Sequence, residues 1–178
     1  YYGQQIHEIT EMLVGDMGQY AHGNQPIQHA IYLYNWLEQP WKTQMRAREI
    51  MDKLYSSAPD GLCGDEDNGQ TSAWYVFSAI GFYPVTPGTG QYAIGSPLFK
   101  NVKLHLQNGN TFEIKAPNNS NKNIYINGIY KNKSSYTKNY ITYKDIMNGS
   151  VFSTEMSSEP NMNLGTDQSS KPYSVSQD

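Results

Sequence analysis

The chain has 178 residues and a formal net charge of -3 at pH 7, so it is long enough to bury a hydrophobic core and has no basic excess that would attract nucleic acid. Its single cysteine, Cys63, excludes an internal disulfide framework and a thiolate metal site. No segment reaches the roughly 20 consecutive apolar residues that a membrane-spanning helix needs. We therefore expect neither nucleic-acid binding nor a membrane span.

The first residues, Tyr1-Tyr2-Gly3, contain neither an initiator methionine nor the charged and apolar regions of a signal peptide. We therefore expect a processed or excised piece of a longer protein, and export directed by its missing N-terminal part stays open. Aromatic residues make up 13% of the chain, which fits rings that stack on sugars and equally fits an aromatic core. Composition alone favours the core.

Hydrophobic spacing predicts helices in the first half of the chain. Apolar side chains recur there every three or four residues, as one buried face of a helix requires. Pro26 suits the first turn of a helix, Thr43 suits an N-cap, and the Gln39-Pro40 step is expected to separate two helices. The predicted helices cover residues 5–17, 26–37, 43–57 and 71–82, the last of them apolar on most sides.

The second half of the chain has the two-residue alternation of β-strands. Residues 83–90 hold two prolines and two glycines, which predicts a boundary near residue 86. Apolar and polar residues alternate from Val102 to Gln107 before an Asn108-Gly109 turn, which predicts a hairpin. Further short strands are predicted around residues 124–126, 140–143 and 151–153. The polar composition beyond about residue 157 predicts an irregular tail.

Three consecutive acids, Asp65-Glu66-Asp67, lie between two predicted helices, where a scaffold can aim several carboxylates at one point. An arbitrary acidic triplet is usually a solvated loop. Here an apolar helix follows directly and would anchor the loop, as a carboxylate that holds a water molecule requires. An EF-hand is excluded, because counting from Asp65 puts Gly69 at the fifth position instead of the sixth.

A second polar cluster, His22-Gly23-Asn24-Gln25-Pro26, comes directly before a predicted helix. Carbonyl and amide oxygens exposed by such an irregular turn suit Ca²⁺, and the alternative is simple N-capping by Asn24. His7 and Glu8 on the first predicted helix are candidates for binding a sugar through charge-assisted hydrogen bonds, although such a pair is more often solvated.

Several runs resemble glycoside hydrolase family 92 in their order and spacing. They are His22-Gly23-Asn24-Gln25-Pro26, Tyr32-Leu33-Tyr34-Asn35-Trp36, Gln39-Pro40-Trp41-Lys42-Thr43-Gln44, Pro59-Asp60-Gly61-Leu62, the long run from Gly64 to Val85, and Gly95-Ser96-Pro97-Leu98-Phe99. Two later runs, Tyr140-Ile141 and Asp145-Ile146-Met147-Asn148-Gly149, look like the C-terminal strands of that family. The resemblance covers roughly residues 5–160, and its run through Asp67 is very specific.

The resemblance implies an exo-acting α-mannosidase that inverts anomeric configuration and uses Ca²⁺ to bridge the protein and the sugar hydroxyls. Asp67, and with it Asp65, matches the general-base positions of the family, and which of the two takes the proton stays open. His7 and Glu8 resemble the pair that contacts the leaving-group mannose in α-1,2-specific members. This favours an α-1,2 linkage over α-1,3 or α-1,4.

The polar cluster falls where the family has its mannose and calcium neighbourhood. The resemblance therefore implies His22, Asn24 and Gln25 as sugar contacts, and Asn24, Gln25 and Asp67 as calcium ligands. The general acid of the family is a glutamate that precedes the His7-Glu8 segment and lies outside this chain. We therefore expect the isolated chain to be inactive and to depend on the missing N-terminal part of the same enzyme.

The implied fold class is α+β. Residues 1–86 would form the last helices of an (α/α)6 barrel catalytic domain, residues 87–160 a small antiparallel β-sandwich-like domain, and residues 161–178 an irregular tail. The expected substrates are α-mannoside glycans, with a role in N-glycan degradation, and the expected location is periplasmic or extracellular in a bacterial-type enzyme. The alternatives are a non-catalytic carbohydrate-binding module and a structural or interaction role.

Overall fold

The structure is a computed structural model and describes residues 16–177. The helix predicted over residues 5–17 lies almost entirely outside the described residues, as do His7 and Glu8. No helix in the described part of the chain is long and apolar enough to cross a membrane.

Helical segments outweigh strands in the first half of the described chain, and one further α-helix lies in the second half. Two are 3-10 helices, Gln25–Ile27 and Ala30–Asn35, and three are α-helices, Pro40–Lys53 (α1), Gln70–Ile80 (α2) and Tyr143–Met147 (α3). The helices predicted over residues 43–57 and 71–82 correspond to α1 and α2. Short 3-10 turns at Gln168–Ser170 and Val175–Gln177 follow in the tail.

The single helix predicted over residues 26–37 is wrong, because the chain forms two 3-10 helices that are separated at Gln28 and His29. The main-chain oxygen of Gln28 accepts a 3.0 Å hydrogen bond from the indole of Trp74. The amide of Tyr32 bonds to the oxygen of His29 instead, at 2.9 Å. In a regular α-helix the oxygen of Gln28 would accept from the amide of Tyr32. It bonds to the distant side chain of Trp74 instead.

Helix α1 begins at Pro40, three residues before the predicted N-cap Thr43. Proline suits the first helical position because the amide it lacks would have no intrahelical partner. The hydroxyl of Thr43 donates a 3.0 Å hydrogen bond to the main-chain oxygen of Ile31, which ties α1 to the preceding 3-10 helix. Helix α2 ends at Gly81, which has a left-handed φ of 118°. Its Val76 is 56% exposed, so α2 is less enclosed than predicted.

Within residues 16–177, eight strands form two sheets. They are β1 (Phe82–Tyr83), β2 (Gln91–Ile94), β3 (Asn101–His105), β4 (Thr111–Lys115), β5 (Tyr125–Lys131), β6 (Ser134–Ser135), β7 (Tyr140–Thr142) and β8 (Val151–Ser157). The smaller sheet has the order β1-β2-β7, and the larger has the order β3-β4-β8-β5-β6. The chain is therefore a mixed helix-and-sheet structure.

The hairpin predicted around Asn108-Gly109 is confirmed. Strands β3 and β4 pair antiparallel with Leu104 opposite Phe112, and Gly109 has the positive φ of 84° that a tight turn favours. Strand β5 is longer than predicted and passes through Asn127-Gly128, where its register with β8 shifts at a bulge.

Two details of the predicted β half are wrong. Strand β8 lies between β4 and β5 and runs parallel to β4, so the larger sheet is mixed instead of antiparallel. The run Asp145-Ile146-Met147-Asn148-Gly149 belongs mainly to helix α3 and not to a strand. A capping box starts this helix, since Thr142 and Asp145 each bond the main-chain amide of the other.

The helical and sheet parts are packed against each other. Trp74 and Tyr32 are completely buried in the helical core, Phe112 is buried in the sheet core, and Phe77 packs against both cores. Helix α1 also reaches the sheet, because the side-chain oxygen of Gln44 accepts a 2.9 Å hydrogen bond from the amide of Ile126. The division of the chain at residues 86 and 160 stays a prediction.

The tail lies against both parts of the molecule. The amide of Asn139 donates a 2.7 Å hydrogen bond to the oxygen of Ser170. The indole of Trp36 donates a 3.0 Å bond to the oxygen of Tyr173, and Lys171 forms a 2.9 Å ion pair with Glu38. Residues beyond the last strand are therefore fastened to the helical half.

Candidate active site

The acidic loop, residues 64–69, leads directly into helix α2. Glu66 caps this helix, because its carboxylate accepts hydrogen bonds from the amide of Gly69 and, at 3.2 Å, from the amide of Ser72. Hydrogen bonds from Ser72 and Gly69 lower the pKa of Glu66, so the group stays ionised near neutral pH. The Glu66 carboxylate is therefore placed as a capping anion at the helix N-terminus.

The two aspartates on either side of Glu66 differ in exposure. Asp65 is half-buried, whereas Asp67 is exposed. Asp67, Asn68 and Gly69 have φ values of 51°, 55° and 98°, so three successive residues are left-handed. Side chains other than glycine are uncommon in this conformation and concentrate at functional sites.

The main-chain oxygen of Asp65 joins the acidic loop to the polar turn, which comprises residues 22–26. It accepts a 2.7 Å hydrogen bond from the hydroxyl of Thr71 and a 2.9 Å bond from the side-chain amide of Gln25. The same amide nitrogen lies 3.4 Å from the Thr71 hydroxyl, and Thr71 is completely buried. The backbone of the loop is thus held by both its own helix and the turn.

Two glycines bring the backbones of the turn and the loop into contact. Gly64 has a φ of 78°, and a Cβ atom built on it would lie 2.7 Å from the Cα of Gly23. No real Cβ contact is this short, so the close approach requires glycine at position 64. The acidic loop and the polar turn therefore form one packed unit.

His22, the first residue of the polar turn, is completely buried. Its Nδ1 atom is 2.7 Å from the hydroxyl of Tyr20, and its Nε2 atom is 2.6 Å from the hydroxyl of Tyr55. Burial lowers the pKa of His22 to about 3, so the imidazole is neutral. The sugar contact predicted for His22 would require it to give up one of these tyrosine partners.

Asn24, Gln25 and Asp67, the predicted calcium ligands, all carry oxygen donors. Gln25 uses its amide nitrogen on Asp65 and Thr71, which leaves its Oε1 atom as an acceptor. Within residues 16–177, no group of three or more His, Cys, Asp or Glu side chains is arranged to hold a metal ion. A metal here would need amide and main-chain oxygens as well, which are the hard donors that Ca²⁺ accepts.

Three supporting residues, Gln28, Tyr55 and Thr71, are not predicted from the sequence as part of the site. The side-chain amide of Gln28 donates a 3.1 Å hydrogen bond to the oxygen of His22 and lies 3.4 Å from the Thr71 hydroxyl. The hydroxyl of Tyr55 donates a 3.1 Å bond to the oxygen of Thr71. Only these long-range bonds distinguish them from ordinary core residues, so local pattern carries no signal for them.

The fold thus places carboxylate and amide side chains on two adjacent segments that are joined by hydrogen bonds and close backbone packing. The family model of the glycosyl hydrolase family 92 catalytic domain matches residues 2–158. The chain belongs to glycosyl hydrolase family 92.

Two solved proteins with similar folds are mannosidases of the same family. An inverting family GH92 mannosidase from Bacteroides thetaiotaomicron VPI-5482 is 56% identical, with a TM-score of 0.87 over 98% of this chain and 24% of that protein. A family GH92 α-mannosidase from Bacteroides thetaiotaomicron is 43% identical, with a TM-score of 0.87 over 90% of this chain and 22% of that protein. A further relative is named an uncharacterized secreted glycosidase, from Arthroderma benhamiae. It is 29% identical over 156 residues, which are 86% of this chain and 20% of its own length. The chain therefore spans about a fifth to a quarter of the relatives it matches.

Proposed function

We propose that this chain is the general-base side of a calcium-dependent, exo-acting α-1,2-mannosidase that inverts anomeric configuration. The observation that carries the proposal is the acidic loop, in which Asp67 is exposed. The loop is held on one side by Glu66, which caps helix α2, and on the other by the polar turn through Gln25. Membership of family 92 and the similarity to mannosidases support the substrate class.

In the proposed reaction, Asp67 takes a proton from a water molecule that attacks the anomeric carbon on the face opposite the leaving group. Asp65 supports this role from a half-buried position. It is separated from Asp67 by the capping residue Glu66. Inversion needs about 6.5–9.5 Å between the acid and the base, so that the water fits between the base and the sugar. The acid is assigned to a glutamate of the longer protein, and the isolated chain is expected to be inactive.

Sugar binding is assigned to His7, Glu8, Asn24 and Gln25. His22, whose two ring nitrogens bond to the hydroxyls of Tyr20 and Tyr55, is assigned to the support of the site. His7 and Glu8 would contact the leaving-group mannose, which is the basis for the α-1,2 preference. Asn24, Gln25 and Asp67 would hold Ca²⁺ together with other oxygens. When bound, the ion supplies a Lewis-acid contact to sugar hydroxyls. The amide nitrogen of Gln25 donates a hydrogen bond to the loop, and the proposal uses the oxygen of the same side chain for the ion.

The proposed substrates are α-mannoside glycans, including those of N-glycans, and the proposed site of action is periplasmic or extracellular. The name of the secreted glycosidase relative supports export.

The product anomer tests the proposal. The full-length enzyme should release β-mannose first from α-1,2-mannobiose, as followed by NMR, and should act more slowly on α-1,3- and α-1,4-mannobiose. α-Mannose as the first product would exclude inversion. Binding of the disaccharide without turnover would favour a carbohydrate-binding module instead.

Chelation tests the role of calcium. EGTA should abolish mannose release by the full-length enzyme, and added Ca²⁺ should restore it, because hydroxyl and carbonyl oxygens near a carboxylate form a hard-ligand site. Added Mg²⁺ is the control and should restore little, since it demands a tighter octahedral site. Full activity after thorough chelation would remove calcium from the proposal.

A further inference from the structure

The hydroxyl and imidazole groups beneath the acidic loop form a continuous chain of hydrogen bonds. The chain runs from the Tyr20 hydroxyl through both ring nitrogens of His22 to the Tyr55 hydroxyl, and from there to the main-chain oxygen of Thr71. Its three polar links measure 2.7, 2.6 and 3.1 Å. His22 is also held edge-on against Trp74, with the ring centroids 4.3 Å apart and the planes at 71°.

The last link fixes the direction of every other link. A tyrosine hydroxyl has one hydrogen, and the Thr71 carbonyl can only accept, so the hydrogen of Tyr55 points to Thr71. The oxygen of Tyr55 must then accept from Nε2 of His22, which places a hydrogen on Nε2. His22 is completely buried and has no carboxylate among its described contacts, so the ring is neutral and Nδ1 accepts from Tyr20.

The chain of bonds ends on the residue that holds the acidic loop. Thr71 donates from its hydroxyl to the oxygen of Asp65 at 2.7 Å, and the amides of Gln25 and Gln28 each lie 3.4 Å from that hydroxyl. Thr71 is therefore bonded through its carbonyl to the half-buried Tyr55 and through its side chain to the loop. A displacement of Tyr55 would be passed to Asp65 through this one residue.

We propose that Tyr20, His22 and Tyr55 form a one-directional hydrogen-bond relay, with His22 as its Nε2-protonated tautomer, that positions the acidic loop through Thr71. His22 is in this view a positioning residue and does not contact the sugar. The effect on turnover rests on the function proposed above for the acidic loop. The direction of the relay does not, because it follows from the hydrogen bonds alone.

The tautomer of His22 is the first test. The full-length enzyme is labelled with ¹⁵N-histidine, and the His22 signals are assigned by their loss in His22→Gln. Wild-type protein should show hydrogen on Nε2. Tyr55→Phe removes the acceptor for that hydrogen, so the ring should move to the Nδ1-protonated form that donates to Tyr20. Tyr20→Phe should keep the Nε2-protonated form.

Tyr75→Phe is the matched control, because Tyr75 packs against Tyr55 with ring centroids 4.8 Å apart and its hydroxyl makes none of the described hydrogen bonds. It should leave the tautomer unchanged. Wild-type protein with hydrogen on Nδ1, or Tyr55→Phe with an unchanged tautomer, would overturn the relay. The wild-type tautomer decides the direction without either tyrosine variant, so the relay stays testable even where Tyr55→Phe or Tyr20→Phe prevents folding.

Turnover is the second test. In the full-length enzyme Tyr55→Phe should lower kcat about 10-fold or more while Tyr75→Phe stays within about twofold, since displacing a catalytic group by about 1 Å can cost on the order of 10²-fold. Equal kcat values for the two variants would overturn the positioning role. If Asp67→Asn also kept full turnover, the function proposed for the loop would fail, whereas the tautomer result would stand.

Discussion

Three acidic side chains follow one another in the acidic loop, yet each has different surroundings. The carboxylate of Glu66 accepts hydrogen bonds from the amides of Gly69 and Ser72. The main-chain oxygen of Asp65 accepts hydrogen bonds from Gln25 and Thr71. Asp67 is exposed. The sequence is sufficient to locate the triplet, and the family resemblance makes the two aspartates the candidates. It is not sufficient to reveal that Glu66 caps a helix, because that depends on the left-handed turn at residues 67–69.

The capping role of Glu66 predicts a change in stability with little change in catalysis. Glu66→Gln keeps one acceptor but loses the charge that faces the N-terminus of α2, so the midpoint of thermal unfolding should fall. Turnover of an α-mannoside by the full-length enzyme should stay within a few-fold, as general-base catalysis of 10²-fold or more is assigned to another residue. A loss as large as that of Asp67→Asn would instead place Glu66 in the reaction.

At the scale of elements, the acidic loop and the polar turn depend on glycine for their contact. Gly64 and Gly69 both have positive φ values, of 78° and 98°. Only Gly64 has a neighbour in the way, since a Cβ at Gly69 would meet nothing within 4 Å. Substitutions at the two positions therefore distinguish the cost of backbone strain, which both have, from the cost of a clash between the loop and the turn, which only Gly64 has.

We expect Gly64→Ala to destabilise the enzyme more than Gly69→Ala does. Both carry the cost of about 1–2 kcal/mol for a side chain in left-handed backbone, and Gly64→Ala adds a 2.7 Å contact with Gly23. Chemical denaturation of the two variants measures the difference. Equal losses of stability would show that the turn and the loop are not packed as described.

Asp145, in the first turn of helix α3, is expected to make the stability of the protein depend on pH. Burial alone would raise the pKa of Asp145, but hydrogen bonds from Lys131 and Thr142 lower it. A lowered pKa in the folded state stabilises the protein above the pKa of the unfolded chain, near 3.9, and this contribution is lost as the pH falls through the folded value. Asp145→Asn should therefore lower the unfolding temperature clearly at pH 7 and less at pH 3. Asp60→Asn, on an exposed turn, is the control, and a difference that does not shrink in acid would contradict the assignment.

At the scale of the whole molecule, the helical and sheet parts are joined by buried polar contacts. Arg48 of α1 donates 2.8 Å hydrogen bonds to the oxygen of Pro97 and to the side chain of Asn119. Asn35 donates a 2.9 Å bond to the oxygen of Ile94. At the surface, Lys171 of the tail pairs with Glu38. These contacts tie the segment that follows the polar turn to the second half of the chain.

Sequence patterns predicted what depends on neighbouring residues, namely the β3–β4 hairpin, helices α1 and α2, and the grouping of acids and amides into two short motifs. They missed what depends on distant partners. The indole of Trp74 breaks the helix predicted over residues 26–37, and the insertion of β8 beside β4 makes the larger sheet mixed. The supporting residues Tyr55, which is half-buried, and Thr71, which is buried, were missed for the same reason.

The central claim is that this chain supplies the general base, and Asp67→Asn in the full-length enzyme tests it most directly. Asparagine keeps the size of the side chain and tolerates the left-handed backbone at φ 51°, so the acidic loop should keep its shape. We predict that kcat on α-1,2-mannobiose falls by about 10²-fold or more, the usual size of general-base catalysis, with the unfolding temperature unchanged. Turnover within a few-fold of wild type would contradict the account and move the role to Asp65.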